Sequence, residues 1–462
     1  MSVISYSLGA VGEVTGSKHI LEIDGLPYMI DCGAWQGAAS AQERNKEFTF
    51  PVDKLQAVFL THAHYDHCGL LPKLIKDGYK GSIRSTPATR DLASIVMLDS
   101  AKIQKYEKAG PAYEESDVVE TINHFRCHAY RKEKVLDERV TYTMYDAGHI
   151  LGSSMIDISI QRKRNFLQKL IKKEDERMHI LYTGDLGRNS NPITRKPDTD
   201  MPAPDYIFLE STYGNRTHES LEHCYGELTN VINETIRRGG KVIIPSFAVE
   251  RAQEIIYYIK KLMAVDAIPR VSVYVDSPMA SNATGVFNIH PECFNEKIVN
   301  EFISKGKNPF SVRSLQFISD FRESQMVAKS QVPAIIIAAN GMCEAGRIIN
   351  HLKEGIENPK NTILIVGYMG EGTLGRKILE KEELLTIDNK EYHLKAEVHK
   401  INAFSAHADY NEIAAWLKDV DTSKLKKIFL VHGDKEAQEY LQQHLTEKGY
   451  KVEIVTGEPI KL

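Results

Sequence analysis

The sequence lacks the features that would send it to a membrane or a secretory route. No apolar run in its 462 residues approaches the roughly 18–20 residues that a spanning helix needs. Its start, MSVISYSLGAVGEVTGS, does not show the basic-then-apolar order of a signal peptide, so a cytoplasmic location is expected. The six cysteines, Cys32, Cys68, Cys127, Cys224, Cys293 and Cys343, form no CxxC pair. That argues against a zinc finger or a disulfide framework and for reduced thiols. Basic charge is not in excess either. With 58 Lys+Arg against 62 Asp+Glu the net charge is −4, which weighs against binding nucleic acid through a global positive field but allows a local basic groove. Internal repeats and low-complexity tracts are absent, and GEGTLGR at 370–376 lacks the GK[ST] ending of a phosphate loop.

What is present reads as a globular α/β chain of two or three domains. Short β-rich runs separated by turn residues open it: SVISYSLGA, KHILEID, PYMIDCG and LQAVFLTH. Helical spacing follows in PKLIKDG and TRDLASIVMLDSAKIQKYEKAG, and strands return at RVTYTMYDAG, SSMIDISI, HILYTGD and DYIFLEST. From about 212 long helical stretches alternate with wholly apolar strands (KVIIPS, VSVYVDS, AIIIAAN, NTILIVGY), the pattern of a parallel sheet with crossover helices. Near 390 the first rhythm resumes. The organisation expected is therefore 1–211, an inserted domain at 212–380, and a return segment at 381–462 that completes the first domain. The basic stretch QRKRNFLQKLIKKEDERM at 161–178 reads as a solvated protrusion, with an RNA- or partner-contacting arm as the alternative.

The densest chemistry lies in FLTHAHYDHCGLLP at 59–72. His62 and His64, two positions apart in an extended loop, point the same way and can share an ion. Asp66 and His67 follow as a helix begins and swing towards a second one. Imidazole and carboxylate are zinc ligands, but two histidines do not fill a tetrahedral site, so further ligands must come from elsewhere. YDAGHILGSS offers His149, LYTGDLGR offers Asp185 and FSAHADY offers His407. Singly, each could be a hydrogen-bonded strand end; together they supply what the loop lacks.

These residues, with ESTYGNRTH at 210–218, PSFAVERAQE at 245–254, DSPMA at 276–280, AANGMCEAGR at 338–347, GYMGEGTLGR at 367–376 and FSAHAD at 404–409, make the whole chain similar to the β-CASP nucleases of the metallo-β-lactamase superfamily. These are the RNA- and DNA-processing enzymes that include the pre-mRNA 3′-end cleavage endonuclease and its bacterial and archaeal relatives. The resemblance implies an αββα sandwich, the metallo-β-lactamase domain, interrupted by a β-CASP domain with a parallel sheet and flanking helices. It implies two Zn2+ per chain: one on His62, His64 and His149, the other on Asp66, His67 and His407, with Asp185 bridging. Glu210 matches the family's strand-end acidic residue.

A two-ion site of this kind suits hydrolysis of a phosphodiester. Asp66 and Asp185 would orient the attacking hydroxide, Glu210 would hold a histidine in place, and His399 in AEVHK is the candidate acid for the leaving sugar oxygen. In the inserted domain Ser246, Arg251, Ser277, Asn340, Gly341, Arg347 and Arg376 sit at strand-to-helix turns suited to gripping phosphates, although each arginine could equally be structural. Tyr213, Phe247 and Tyr368 could stack bases or be buried. His432 in LVHGD is a candidate phosphate or ligand-supporting contact. The function expected is a zinc-dependent ribonuclease, cutting single-stranded RNA internally in processing or decay, with a homodimer and protein partners of RNA processing in view. The alternatives are a hydrolase of a small ester or thioester on the same metal site, and a non-catalytic RNA-processing subunit. Filled ligand positions oppose the last, and an inserted domain suited to a long polyanion opposes the former.

Overall fold

The structure, a computed structural model, describes residues 2–37, 40–106, 110–162, 177–367, 369–402 and 405–462. Most of the basic stretch at 161–178, Tyr368, and the start of FSAHAD lie outside the described residues. The chain divides into two units, Met1–Thr217 with Ala406–Leu462, and His218–Ser405.

The first unit is built on two seven-stranded sheets. One runs, in spatial order, Ile460–Lys461, Val3–Gly9, Lys18–Ile23, Leu26–Ile30, Ala57–Phe59, Ser82–Ser85, Phe125–Cys127. The other runs Val452–Ile454, Lys427–Val431, Tyr206–Glu210, Arg177–Tyr182, Ser154–Gln161, Val140–Asp146, Lys134–Val135. Side chains alternate along a strand, and in Val3–Gly9 every second residue is buried. The inward set from both sheets forms one core: Leu21, Ile30 and Phe59 pack with Ile156, Ile180 and Phe208. Tyr182 and Phe429 flank Phe208 with ring centroids at 4.5 and 5.0 Å, and the Tyr182 hydroxyl reaches Ser5 Oγ of the opposite sheet at 2.9 Å. The outer face of the second sheet is covered by helices Tyr410–Asp419 and Lys435–Glu447, which bury Trp416, Leu417, Leu441 and Leu445 against Leu181, Ile207, Leu209 and Leu430. Asp409 starts the first of these helices with a reciprocal capping box to Glu412, satisfying otherwise orphaned N–H groups. Helices Leu71–Lys76, Pro87–Gln104 and Glu115–Asn123 pack together against the first sheet. The layering is αββα, as expected.

The second unit carries a six-stranded sheet in the order Leu315–Phe317, Ser272–Asp276, Ala334–Ala338, Val242–Pro245, Thr362–Ile365, Glu397–Lys400. Every pairing in it is parallel, and its central strands are buried along their whole length, which is why they read as unbroken apolar runs.

The boundaries differ from the sequence expectation. Residues 381–405 fall with the second unit, so the return begins at Ala406 rather than 381. Their β-rich rhythm comes from two other sources. Leu384–Ile387 and Lys390–His393 form a hairpin, and Glu397–Lys400 pairs with Thr362–Ile365 as the edge strand of the parallel sheet. Leu385, Ile387, Ala396 and Val398 belong to the same core as Ile363 and Ile365. At the other boundary the first unit runs on to Thr217, because Tyr213 bridges to Asp409.

One close approach in the first unit supports the histidine loop from below. After strand Leu26–Ile30 the chain passes under residues 65–67, with Cys32 N donating to His67 O at 2.8 Å, Ala34 N to Tyr65 O at 3.1 Å and Ser17 N to Asp66 O at 2.9 Å. A Cβ on Gly33 would lie 1.5 Å from Asp66 O, so one of the two backbones would have to move. Gly33→Ala is expected to lower stability by about 1–3 kcal/mol, read as a reduced urea midpoint at unchanged m-value; an unchanged midpoint would show that the loop is not braced there.

Candidate metal centre

Four loops at the ends of strands in the first unit bring the titratable residues together. His62 and His64 leave strand Ala57–Phe59, and Asp66 and His67 lie on the one-turn helix Tyr65–Cys68. His149 follows strand Val140–Asp146 in a turn where Ser153 Oγ accepts its backbone N–H at 3.0 Å. Asp185 follows Arg177–Tyr182. His432 directly follows Lys427–Val431 in the left-handed region (φ 49°), a conformation uncommon for any residue with a side chain. That turn aims the imidazole back at the histidine loop.

The result is three adjoining groups. His62, His64, His149 and Asp185 form the first; Asp66, His67 and His432 the second; Asp185, Glu210 and His407 the third. In the first, His64 Nδ1 lies 3.1 Å from His62 Nε2 and 3.2 Å from His149 Nε2, and Asp185 Oδ2 lies 3.4 and 3.5 Å from the same two Nε2 atoms. In the second, His67 Nε2 lies 3.3 Å from His432 Nε2, with Asp66 Oδ2 at 3.4 Å from the latter and Asp185 Oδ1 at 3.3 Å from the former. Each carboxylate oxygen of Asp185 thus faces a different histidine group.

This donor set fits metal ions. Two nitrogens at 2.0–2.1 Å from one tetrahedral zinc are themselves about 3.3 Å apart, close to the spacings found. Facing ring nitrogens at such distances leave lone pairs opposed unless a proton or a cation lies between them. Asp185 Oδ1 is buried and accepts no hydrogen bond, an expensive condition for a carboxylate without a cation.

The electrostatics agree. Burial drives the His62 pKa down to about 3 and that of His64 to about 4, and holds His149 well below its usual value, so these three imidazoles are neutral as ligands must be. Burial also opposes charge on His67, His407 and His432, but neighbouring carboxylates outweigh it. Asp185 and Asp31 hold His67 well above its ordinary value, Glu210 and Asp185 push His407 up to about 9, and Asp185 and Asp66 raise His432. Asp66 and Asp185 are held down despite burial, by the surrounding imidazoles. The pocket concentrates negative charge that needs cationic compensation.

The surrounding contacts fix tautomers and ring planes. Asp31, itself at φ 60°, takes His67 Nδ1 at 2.7 Å on Oδ2 and holds Thr61 through N and Oγ1 at 2.8 Å each, leaving His67 Nε2 to the second group. Thr212 Oγ1 lies 3.0 Å from His432 Nδ1. Glu210, fully buried, accepts from Leu186 N and Thr212 N at 2.9 Å each and from His407 Nδ1 at 2.9 Å. Tyr213 lies nearly parallel to the His407 ring at 6.0 Å.

Several sequence expectations are revised by this geometry. The partner of Asp66 and His67 is His432, not His407; His407 is held by Glu210, on the Asp185 Oδ2 side. His432, expected as a phosphate or ligand-supporting contact, thus stands in a ligand-atom group itself. His399 belongs to none of these groups: it stands exposed on edge strand Glu397–Lys400 of the second unit, beside Glu397 at 3.4 Å. The arginines expected to grip phosphate are engaged within the second unit. Arg347 gives its guanidinium to Asp276 Oδ1 at 2.7 Å and to the carbonyls of Ile318, Ser319 and Asp320. Arg251 is buried in an ion pair with Glu254, and Arg376 pairs with Glu380. Ser277 caps helix Pro278–Ile289 by accepting from Ala280 N, Ser246 Oγ donates to Phe247 O, and Asn340 Oδ1 accepts from Met342 N. Asp31 and Thr212 went unnoticed in the sequence. An acidic residue ending the strand run PYMID was a signal for the first; nothing local marks the second.

Comparison with known proteins agrees with the geometry. Residues 20–178 match the metallo-beta-lactamase superfamily domain, 252–378 the Beta-Casp domain, and 391–455 the Zn-dependent metallo-hydrolase RNA specificity domain. The chain is 34% identical over 447 residues to Ribonuclease TTHA0252 of Thermus thermophilus, covering 96% of each chain. It is 30% identical over 443 residues to transcription termination factor FttA of Methanosarcina mazei, covering 93% of this chain and 67% of that protein. A crystal structure of a protein of unknown function from Enterococcus faecalis V583 shares the fold at TM-score 0.56 and 12% identity, with both chains fully covered. With a full-length relative at this identity and domain matches in this order, the chain belongs to the β-CASP family of metal-dependent nucleases within the metallo-β-lactamase superfamily.

Proposed function

We propose that this chain is a ribonuclease that hydrolyses phosphodiester bonds of single-stranded RNA at a pair of zinc ions. The observation that carries the reading is Asp185, whose two carboxylate oxygens each address a separate histidine group. His62, His64 and His149 would hold one ion, Asp66, His67 and His432 the other, and Asp185 both. The choice of RNA is supported by the relative named a ribonuclease and by the match of 391–455 to the RNA specificity domain.

Such an ion pair supplies hydroxide at neutral pH and offsets charge on the phosphoryl oxygens. The protein's own groups do the rest. Asp31 fixes His67 so that its Nε2 faces the second group, and Thr212 restrains His432 from behind. Glu210 binds His407 Nδ1, which sets that ring's orientation and leaves Nε2 to carry a proton to the leaving sugar oxygen, the role the sequence reading gave to His399. The raised pKa of His407 keeps that proton available near neutrality.

Metal analysis with an internally labelled single-stranded RNA tests the reading. The wild-type chain should hold about two zinc ions and cut the RNA internally. His432→Ala should retain about one ion, whereas His407→Ala should retain both and still lose about 10²–10⁴-fold in rate. If His407→Ala loses an ion and His432→Ala keeps both, the ligand assignment is reversed; if the loaded wild-type protein leaves RNA intact, the activity is not that of a ribonuclease. Asp31→Ala should weaken metal affinity by about 10–100-fold, measured by competition with a chromophoric chelator, and an unchanged affinity would remove Asp31 from the ligand support.

A further inference from the structure

The second unit presents an aromatic side chain that the metal chemistry does not use. Phe247 is 44% exposed while its neighbours Ser246 and Ala248 are 2% and 4% exposed. Isolated exposed hydrophobics are ordinary, but this one is built in. Its ring rests on glycine backbone: a Cβ at Gly341 would come within 3.1 Å of ring atoms Cδ2 and Cε2, and one at Gly367 within 3.9 Å of Cε2. A side chain at Gly341 would crowd the ring, whereas one at Gly367 would only touch it, so Gly341 forms the floor on which the ring lies.

The topology of the sheet marks the same place independently. Strands Val242–Pro245 and Thr362–Ile365 are parallel neighbours. The chain leaving the first rejoins the sheet at Ser272–Asp276, towards one edge; the chain leaving the second rejoins it at Glu397–Lys400, the other edge. Connections diverging from adjacent parallel strands open a crevice at their carboxyl ends, the usual ligand position in such sheets. Phe247, Gly341 and Gly367 each lie two or three residues beyond the ends of the strands Val242–Pro245, Ala334–Ala338 and Thr362–Ile365.

The chemistry at this crevice is that of a π face more than of an anion grip. Arg251 and Arg347 are committed to Glu254 and Asp276, and the side chains of Ser246 and Asn340 are spent on local backbone groups. We propose that Phe247 is a nucleobase-stacking platform at the carboxyl edge of the β-CASP sheet, holding one base of the RNA by its face and so with little preference for sequence. This rests on the ribonuclease reading above.

The test uses the full-length, zinc-loaded chain in a His407→Ala background and fluorescently labelled ten-nucleotide RNAs, intact or with one abasic site moved along the strand. Phe247→Ala should weaken binding of intact RNA about fivefold to a hundredfold, and Phe247→Trp should restore it. One abasic position should weaken the parent by a similar factor and have no further effect on Phe247→Ala, since the two changes remove the same contact. Equal affinities of Phe247→Ala and its parent for every RNA would overturn the platform while leaving the ribonuclease reading intact. A change in oligomeric state on Phe247→Ala without loss of RNA affinity would also overturn it, making Phe247 a protein contact. If the wild-type chain neither cuts nor binds RNA, both fall together.

Discussion

The position of one carboxylate organises the first unit. Asp185 is buried among five imidazoles, those of His62, His67, His149, His407 and His432, and its two oxygens face opposite ways. Burying such a charge is affordable only with cationic partners on both sides. The strained turns follow from that demand. Asp31 and His432 take left-handed backbone conformations, and Gly33 lets one backbone run against another, because each group must reach a common centre from a different strand. The two sheets, joined by their shared core and by the Tyr182 hydroxyl on Ser5, supply the base from which short loops can do this.

Around that centre the labour divides by contact. His62, His64 and His149 are kept neutral by burial, as ligands need to be. His67 and His432 are oriented by Asp31 and Thr212. His407 is set apart by its contact with Glu210, which accepts from its Nδ1 at 2.9 Å. Two histidines, His407 and His432, therefore stand in different groups, and the position of Glu210 separates them.

Much of this was legible in the sequence. The spacing of His62, His64, Asp66 and His67 announced the site because period-two geometry in an extended loop is local, and the strands of the core announced themselves through alternation or unbroken apolar runs. Which of His407 and His432 stands with Asp66 and His67 was not legible, since only the three-dimensional position of Glu210 separates them. The placing of 381–405 with the second unit was hidden for a related reason. A hairpin and an edge strand carry the same β-rich pattern whichever sheet they join, and the pairing of Glu397–Lys400 with Thr362–Ile365 is a long-range fact. A sequence also shows charge without its partner: Asp276 and Glu254 hold Arg347 and Arg251 in the fold.

The two histidines of the second group, His67 and His432, are separated by 365 residues. A ribosome adding about 5–20 residues per second takes roughly 20–70 s to pass from one to the other. Throughout that interval the emerging polypeptide has its first histidine loop but no completed centre, and the message that encodes it lies within reach. Chain order thus sets the earliest moment at which the second group can close: His67 waits for His432 to be made.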